Sequence, residues 1–349
     1  MLNPSQLRAF RIPRIVLSLA LTLVAVVGLS LVVTGPPSGP VAAATDASCT
    51  DGNFPTPIEA DVTFSGDLFV TGSVVVRNGA TLTLTAGSHV TVCGPYDLNF
   101  ANGALHAAGT SEDPITIAGE TPETRWGRLF FNGNGDPLLP SVLRHVILDG
   151  GGGSDPTAAQ GTVHIYDAHL TDGAGPVVED VTVRNSGAYG IYVRVRSEDT
   201  TPPLLSGLTV TNSARAPVLI WASAVGGLGE GNTFTGNAEE AIEVRAGTVL
   251  GGDIRFSQTW LRQPIPYRMV NEGGLGVNGA TTPTLALMPG TTFRMDPDFT
   301  ITIAKAHLVV EGTLAEPITF EPTFPGQSWR GIVFQGSATV VPKARSDTS

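Results

Sequence analysis

Residues 81–133 and 284–336 are two versions of one segment, aligning without a gap at a constant offset of 203, with 15 of 53 pairs identical. Leu82/Leu285, Gly87/Gly290, Leu105/Leu308, Gly109/Gly312, Pro114/Pro317, Trp126/Trp329 and Phe131/Phe334 are among those pairs. A chain that repeats itself at long range is built from stacked supersecondary units, because one unit alone cannot bury its apolar face. The identical residues are mostly core and turn types, so the duplication specifies a scaffold. Function is therefore expected where the copies differ, or in the chain between them.

The local pattern names the unit. From Asp61 onward, short runs of period two recur, such as Thr81-Leu-Thr-Leu84, Ile115-Thr-Ile117, Val181-Thr-Val183 and Ile301-Thr-Ile303, broken by Gly, Asn, Asp and Pro. Alternation of Thr with Val, Ile or Leu marks half-buried strands. A shorter repeat lies between the copies: Val181-Thr-Val-Arg-Asn-Ser186 returns as Leu208-Thr-Val-Thr-Asn-Ser213, and Asn232-Thr-Phe-Thr-Gly-Asn237 follows. Periods near 25 residues with Asn at the bend fit one coil of a parallel β-helix, since Asn tolerates the left-handed conformation and can stack on the next coil's Asn. On that basis the offset of 203 is about eight coils. A β-propeller, the main rival, would repeat antiparallel blades every ~40 residues.

Four pieces of the second copy carry a family resemblance: Thr284 to Gly290, Leu308-Val-Val-Glu-Gly-Thr313, Glu316-Pro-Ile-Thr-Phe320 and Trp329-Arg-Gly-Ile-Val-Phe334. They resemble the unit of secreted bacterial parallel β-helix proteins of the pectate-lyase-like (pectin lyase fold) superfamily, including surface and adhesin-like members. The resemblance implies an all-β fold, a single-stranded right-handed parallel β-helix; at about 25 residues per coil, residues 61–336 make a solenoid of roughly eleven coils. Within it lie the repeat unit 81–133, plainer coils over 134–260, and the repeat unit 284–336. Such units occur in adhesins and in carbohydrate-active enzymes alike, so the resemblance speaks for fold more than for activity.

The ends have their own chemistry. Arg8, Arg11 and Arg14 precede an uncharged apolar run, Ile15 to Val33, and Ala42-Ala-Ala44 offers a cleavage site. Residues 1–44 thus read as a signal peptide or, uncleaved, a signal anchor; residues 45–60 form a lead-in or N-terminal cap, and 337–349 a polar tail. The expected location is secreted, extracellular or cell-surface, with no membrane contact after cleavage. Residues 1–44 hold three Arg and no acid, leaving 17 Lys plus Arg against 31 Asp plus Glu. So acidic a surface disfavours nucleic acid as a partner. Cys49 and Cys93 are the only cysteines; in an oxidising compartment they either pair as a disulfide or remain two separate thiols.

Candidate site residues cluster in two places. Asp149, Asp155, His164, Asp167, His169 and Asp172 surround the glycine run 150–153, where a loop leaving the coil would carry a metal or acid/base site or a merely solvated acidic turn. Arg194 and Arg196 alternate on one strand face, and Tyr189, Tyr192, Trp221 and Trp260 lie outside the duplicated segment, so these are the candidate ligand-binding residues. Trp126 and Trp329 recur beside buried strands and read as packing.

Two functions are weighed. The first is a non-catalytic secreted or surface β-helix that binds polysaccharide or another cell-surface component along its elongated face, with no cofactor. The second is a carbohydrate-active enzyme, a polysaccharide lyase or glycoside hydrolase, sited near 149–172, with Ca²⁺ only for a lyase. A structural spacer, or a fragment of a larger surface protein, is a further alternative. An uncapped C-terminal coil would leave strand edges open to self-association.

Overall fold

The computed structural model describes residues 48–132 except 53, 141–168, 175–195, 202–247, 252–271 and 273–336, together with the short strands Val41–Ala42 and Thr339–Val340. The expected export segment falls almost wholly outside these residues, as does most of the polar tail.

The described chain is a parallel β-solenoid. Each circuit lays one strand on each of three faces in a fixed order, as in Val62–Phe64, Asp67–Val70 and Val74–Val76, followed by Thr81–Leu84, His89–Val92 and Leu98–Ala101. Faces one and two begin as seven-stranded sheets, and face three is a continuous ten-stranded sheet running from Val74–Val76 to Thr319–Pro322. Every pairing between its strands is parallel. Nine ladder steps make about nine turns, slightly fewer than the eleven expected from a uniform coil of 25 residues. The reason is coil length: partners in face three lie from 24 residues apart, as in Val74↔Leu98, to 34 apart, as in Leu129↔Val163. At ~4.8 Å per step the ten-stranded sheet is about 43 Å long.

Alternation decides which residues fill the interior. In Thr81–Leu84 the leucines point in and are at most 1 % exposed, while the threonines stay half-buried outside. The interior stacks like on like from coil to coil. Phe100 lies on Phe131 at 5.1 Å, and Tyr267, Phe293 and Phe320 form a column with centroid spacings of 5.6 and 5.1 Å. Trp260 joins that column at 6.0 Å from Phe293 and is 1 % exposed, so it is a core residue and not a ligand platform.

Bends are made by residues that accept left-handed backbone. Gly150, Asn185, Asn212 and Gly236 occupy one corner on four successive coils with φ of 76, 55, 56 and 67°. Asn212 Nδ2 donates to Asn185 Oδ1 at 3.4 Å, and Asn185 Nδ2 donates to Asp149 Oδ1 at 2.8 Å. The expected asparagine ladder therefore exists, with glycine ending it at both sides. A disulfide joins Cys49 to Cys93 with Cα atoms 5.4 Å apart, tying the lead-in to the strand His89–Val92.

The duplication is out of phase with the faces. His89–Val92 lies on face two, whereas its counterpart Thr292–Met295 lies on face three; Leu98–Ala101 is on face three, and Thr300–Ala304 on the sheet that follows face three in each circuit. Leu228 and Ile254 hold face one's place through single bridges where it has no strand. Counting circuits through them, Thr284–Leu287 lies seven turns and one further side beyond Thr81–Leu84. All three faces require the same thing of a strand, alternating apolar residues pointing in, so one segment serves any of them.

Candidate functional site

Among the described residues, face three has an outside that is also apolar over several coils. Tyr189, Tyr192, Ala216, Leu219 and Trp221 form a buried cluster separate from the core, with Tyr166 packed against it. The strands responsible are long and rich in aromatics, Gly161–Ala168 and Tyr189–Val195, followed by Val218–Trp221 and Ile242–Ala246. Because Val163, Ile165, Ile191 and Val193 point inward, the residues between them point out. One outward row runs Phe130, His164, Tyr192, Leu219, Glu243, Arg268 on six consecutive strands. Two residues along, a second row holds Tyr166, Arg194, Trp221 and Arg245.

His164 is 2 % exposed, with its ring 4.2 Å from Tyr192, 5.0 Å from Phe130 and 5.7 Å from Tyr166. Its Nδ1 lies 3.1 Å from Arg128 Nη1. A guanidinium only donates, so Nδ1 accepts and Nε2 carries the proton, without a hydrogen-bond partner. Burial first, and the Arg128 charge second, pull its pKa down to about 3, which keeps the ring neutral at pH 7.

Arg194 is held by rings. Its Nη1 donates to the Tyr166 hydroxyl at 2.9 Å, and the guanidinium sits 4.9 Å over Tyr166 and 5.2 Å over Trp221. Trp221 Nε1 reaches the Tyr192 hydroxyl at 3.5 Å. Among the described residues Arg194 has no carboxylate partner, and its Nε makes no hydrogen bond. Other arginines of this face are neutralised: Arg128 by Asp97, Arg268 by Glu239 and Asp296, Arg294 by Glu321.

Next along the row is a buried carboxyl. Glu243, 3 % exposed, accepts a hydrogen bond from the Tyr189 hydroxyl at 2.8 Å, and Arg215 and Arg268 stand 3.7 and 3.8 Å away. Arg215 also stacks over the Tyr189 ring at 4.4 Å. Burial pushes the Glu243 pKa up, and Glu239, hydrogen-bonded to it, pushes the same way. Burial and the Glu243 charge likewise raise the Tyr189 phenol. Both carboxyls turn toward one cation, Arg268 Nη1, at 2.7 Å from Glu239 and 3.8 Å from Glu243, and not toward opposite sides of a cleft as a glycoside-hydrolase pair must. These acids are also tied to guanidinium groups, so the donor set does not suit a hard cation such as Ca²⁺.

Of the residues expected to act together around the glycine run, the three whose side chains are described lie apart. Asp149 lies on face two, bound through both oxygens to Arg184 Nε and Asn185 Nδ2, each at 2.8 Å. Asp155 is an exposed turn residue whose carboxylate accepts the Thr157 N–H at 2.8 Å and hydroxyl at 2.6 Å, which lowers its pKa. His164 is on face three, so Asp149 and His164 lie on different faces: the loop after Gly150 carries the chain from one face to the next. His169, Asp172 and Arg196, and the side chain of Asp167, lie outside the described residues. Among the ligand candidates, Tyr192, Arg194 and Trp221 do come together, with Tyr189 at one end. Tyr192 and Trp221 are closed in at 3 and 4 % exposure, so they wall Arg194 and offer no open stacking surface. Glu243 and Arg268 were missed. Their signal was a charged residue at an alternating position inside an apolar strand, as in Ile242-Glu-Val244.

Among the described residues no helix is long and apolar enough to cross a membrane. No family model matches the chain, and neither a curated protein nor a solved structure matches it.

Proposed function

We propose that this chain is an exported β-helix protein of the pectate-lyase-like superfamily that binds a polysaccharide or another cell-surface component along the outside of face three, without catalysing its breakdown. The observation that carries the reading is Arg194, a guanidinium walled by Tyr166 and Trp221 and without a carboxylate partner among the described residues. Arginine forks recognise hydroxyl and carboxylate pairs, and a partly desolvated cation gains from a ligand that supplies the acceptor. Flanking Glu243, Arg245 and Arg268 extend the polar strip along the solenoid, as an elongated ligand requires.

One observation favours a second reading, a carbohydrate-active enzyme centred on Glu243 and not on the 149–172 loop. A buried carboxyl with a raised pKa beside a tyrosine is suited to proton donation. The Glu239 contact weighs against it. A glycan-array screen of the purified chain, run beside lyase and hydrolase assays with and without Ca²⁺, separates the two. Binding without product release, lost in Arg194→Ala, supports the first reading; product release lost in Glu243→Gln replaces it with the second.

A further inference from the structure

A cavity of ≈ 530 Å³ lies at a corner of the solenoid. Its walls come from the same bend on four successive coils. Ile254 pairs with Val277, Val277 with Ile303, and Ala304 with Gln335, so Arg255, Asn278, Ala304 and Gln335 stand in one column, one ladder step apart. Gly279, Ala280, Ala304 and Gly336 leave the corner without bulky side chains, which is why a groove runs there along the solenoid axis.

Two cations border it. Neither Arg255 nor Lys305 forms an ion pair among the described residues, although acids outnumber bases in this chain by 31 to 20. Asp253, two residues from Arg255, is half-buried and accepts the Gly276 N–H and the Asn278 amide; burial raises its pKa, and the Arg255 charge works against that rise. Lys305 is also conformationally out of place. Its φ is 51°, a left-handed corner; the next coil puts Gly336 there with φ 65°, and the first copy of the duplication has Asn102 there with φ 55°. Lysine is disfavoured in that conformation where glycine and asparagine are at ease, so something other than backbone geometry holds a cation at this bend.

We infer that the Arg255–Lys305 groove is a binding site for a linear anionic glycan whose carboxylate or sulfate groups recur on alternate sugars. Two ladder steps separate the backbones of the two cations, ~10 Å, and amide and backbone groups between them face the uncharged sugar. A nucleic acid strand places a charge every ~3.4 Å, too dense for two cations in an acidic protein to match. The site owes nothing to Arg194 or to face three.

Isothermal titration with hyaluronan oligosaccharides, which carry one carboxylate per disaccharide, tests it on the full chain. Polygalacturonate, a neutral cello-oligosaccharide and poly-glutamate are the comparison arms. Expected are binding to hyaluronan, weakening with salt, and a loss of about tenfold or more in an Arg255→Gln/Lys305→Asn double variant. Lys305→Asn installs the residue the first copy uses at this bend, so the variant folds, and its thermal melt reports that separately. Both proteins are also read in an Arg194→Ala background, where the tenfold loss persists if the groove, and not face three, is the site. Equal affinity in the double variant, no measurable binding by the wild type, or a preference for poly-glutamate or polygalacturonate would each overturn the assignment.

Discussion

His164 shows how a residue type can be legible while its role is not. As a histidine among aspartates in a glycine-rich stretch it suggested metal or acid/base chemistry. Three aromatic rings and Arg128 surround it instead, and they keep it neutral. With a folded pKa of about 3 against an ordinary value near 6.5, the unfolded chain takes up a proton in that interval and the folded chain does not. The contribution is therefore complete above pH 6.5 and is lost as pH falls toward 3, at up to about 1.4 kcal/mol per pH unit. Urea unfolding of the wild type and His164→Phe across pH 4–7 should show a steeper loss in the wild type; parallel curves would mean that the imidazole is solvated. Glu243 is the reverse case, hidden in the sequence because nothing in a single strand reveals that Tyr189, Arg215 and Arg268, from three other coils, converge on it.

Strands and bends were readable where local chemistry alone determines them. Alternating Thr and aliphatic residues become strands with the aliphatics inside, and Asn185 and Asn212 take the left-handed bends expected of asparagine. Asn212→Ala should cost about 1–2 kcal/mol, since alanine is strained at φ 56° and the contact to Asn185 is lost. Asn212→Gly should cost much less, because Gly236 already holds the same corner one coil on. Chemical denaturation of the two variants checks the ordering, and equal losses would show that the side-chain ladder, not the backbone, governs the bend. Which face a strand joins was not readable. Every face accepts the same alternation, and coil lengths between 24 and 34 residues erase the count, so equivalent segments of the two copies sit on different sides.

For the whole molecule, a solenoid distributes its stability among neighbouring coils, and its N-terminal lead-in is held by a covalent tie. Reducing the Cys49–Cys93 bridge, which closes a loop with a sequence separation of 44, should lower stability by about 3–4 kcal/mol on a chain-entropy argument. A melt with and without reductant, repeated in a Cys49→Ser/Cys93→Ser variant, measures it; unchanged melts would place the lead-in outside the cooperative unit. The proposed binding function rests on face three, where the outside of the sheet carries Arg194 and Glu243 over an aromatic layer. Hydrogen exchange of the full chain, read with and without the glycan selected by the array, tests that most directly. The account predicts new protection confined to Gly161–Ala168, Tyr189–Val195, Val218–Trp221 and Ile242–Ala246, the four strands that carry the two rows. Protection on the threonine-bearing strands of face two, such as Thr209–Thr211 and Thr233–Thr235, with none on those four, would contradict it.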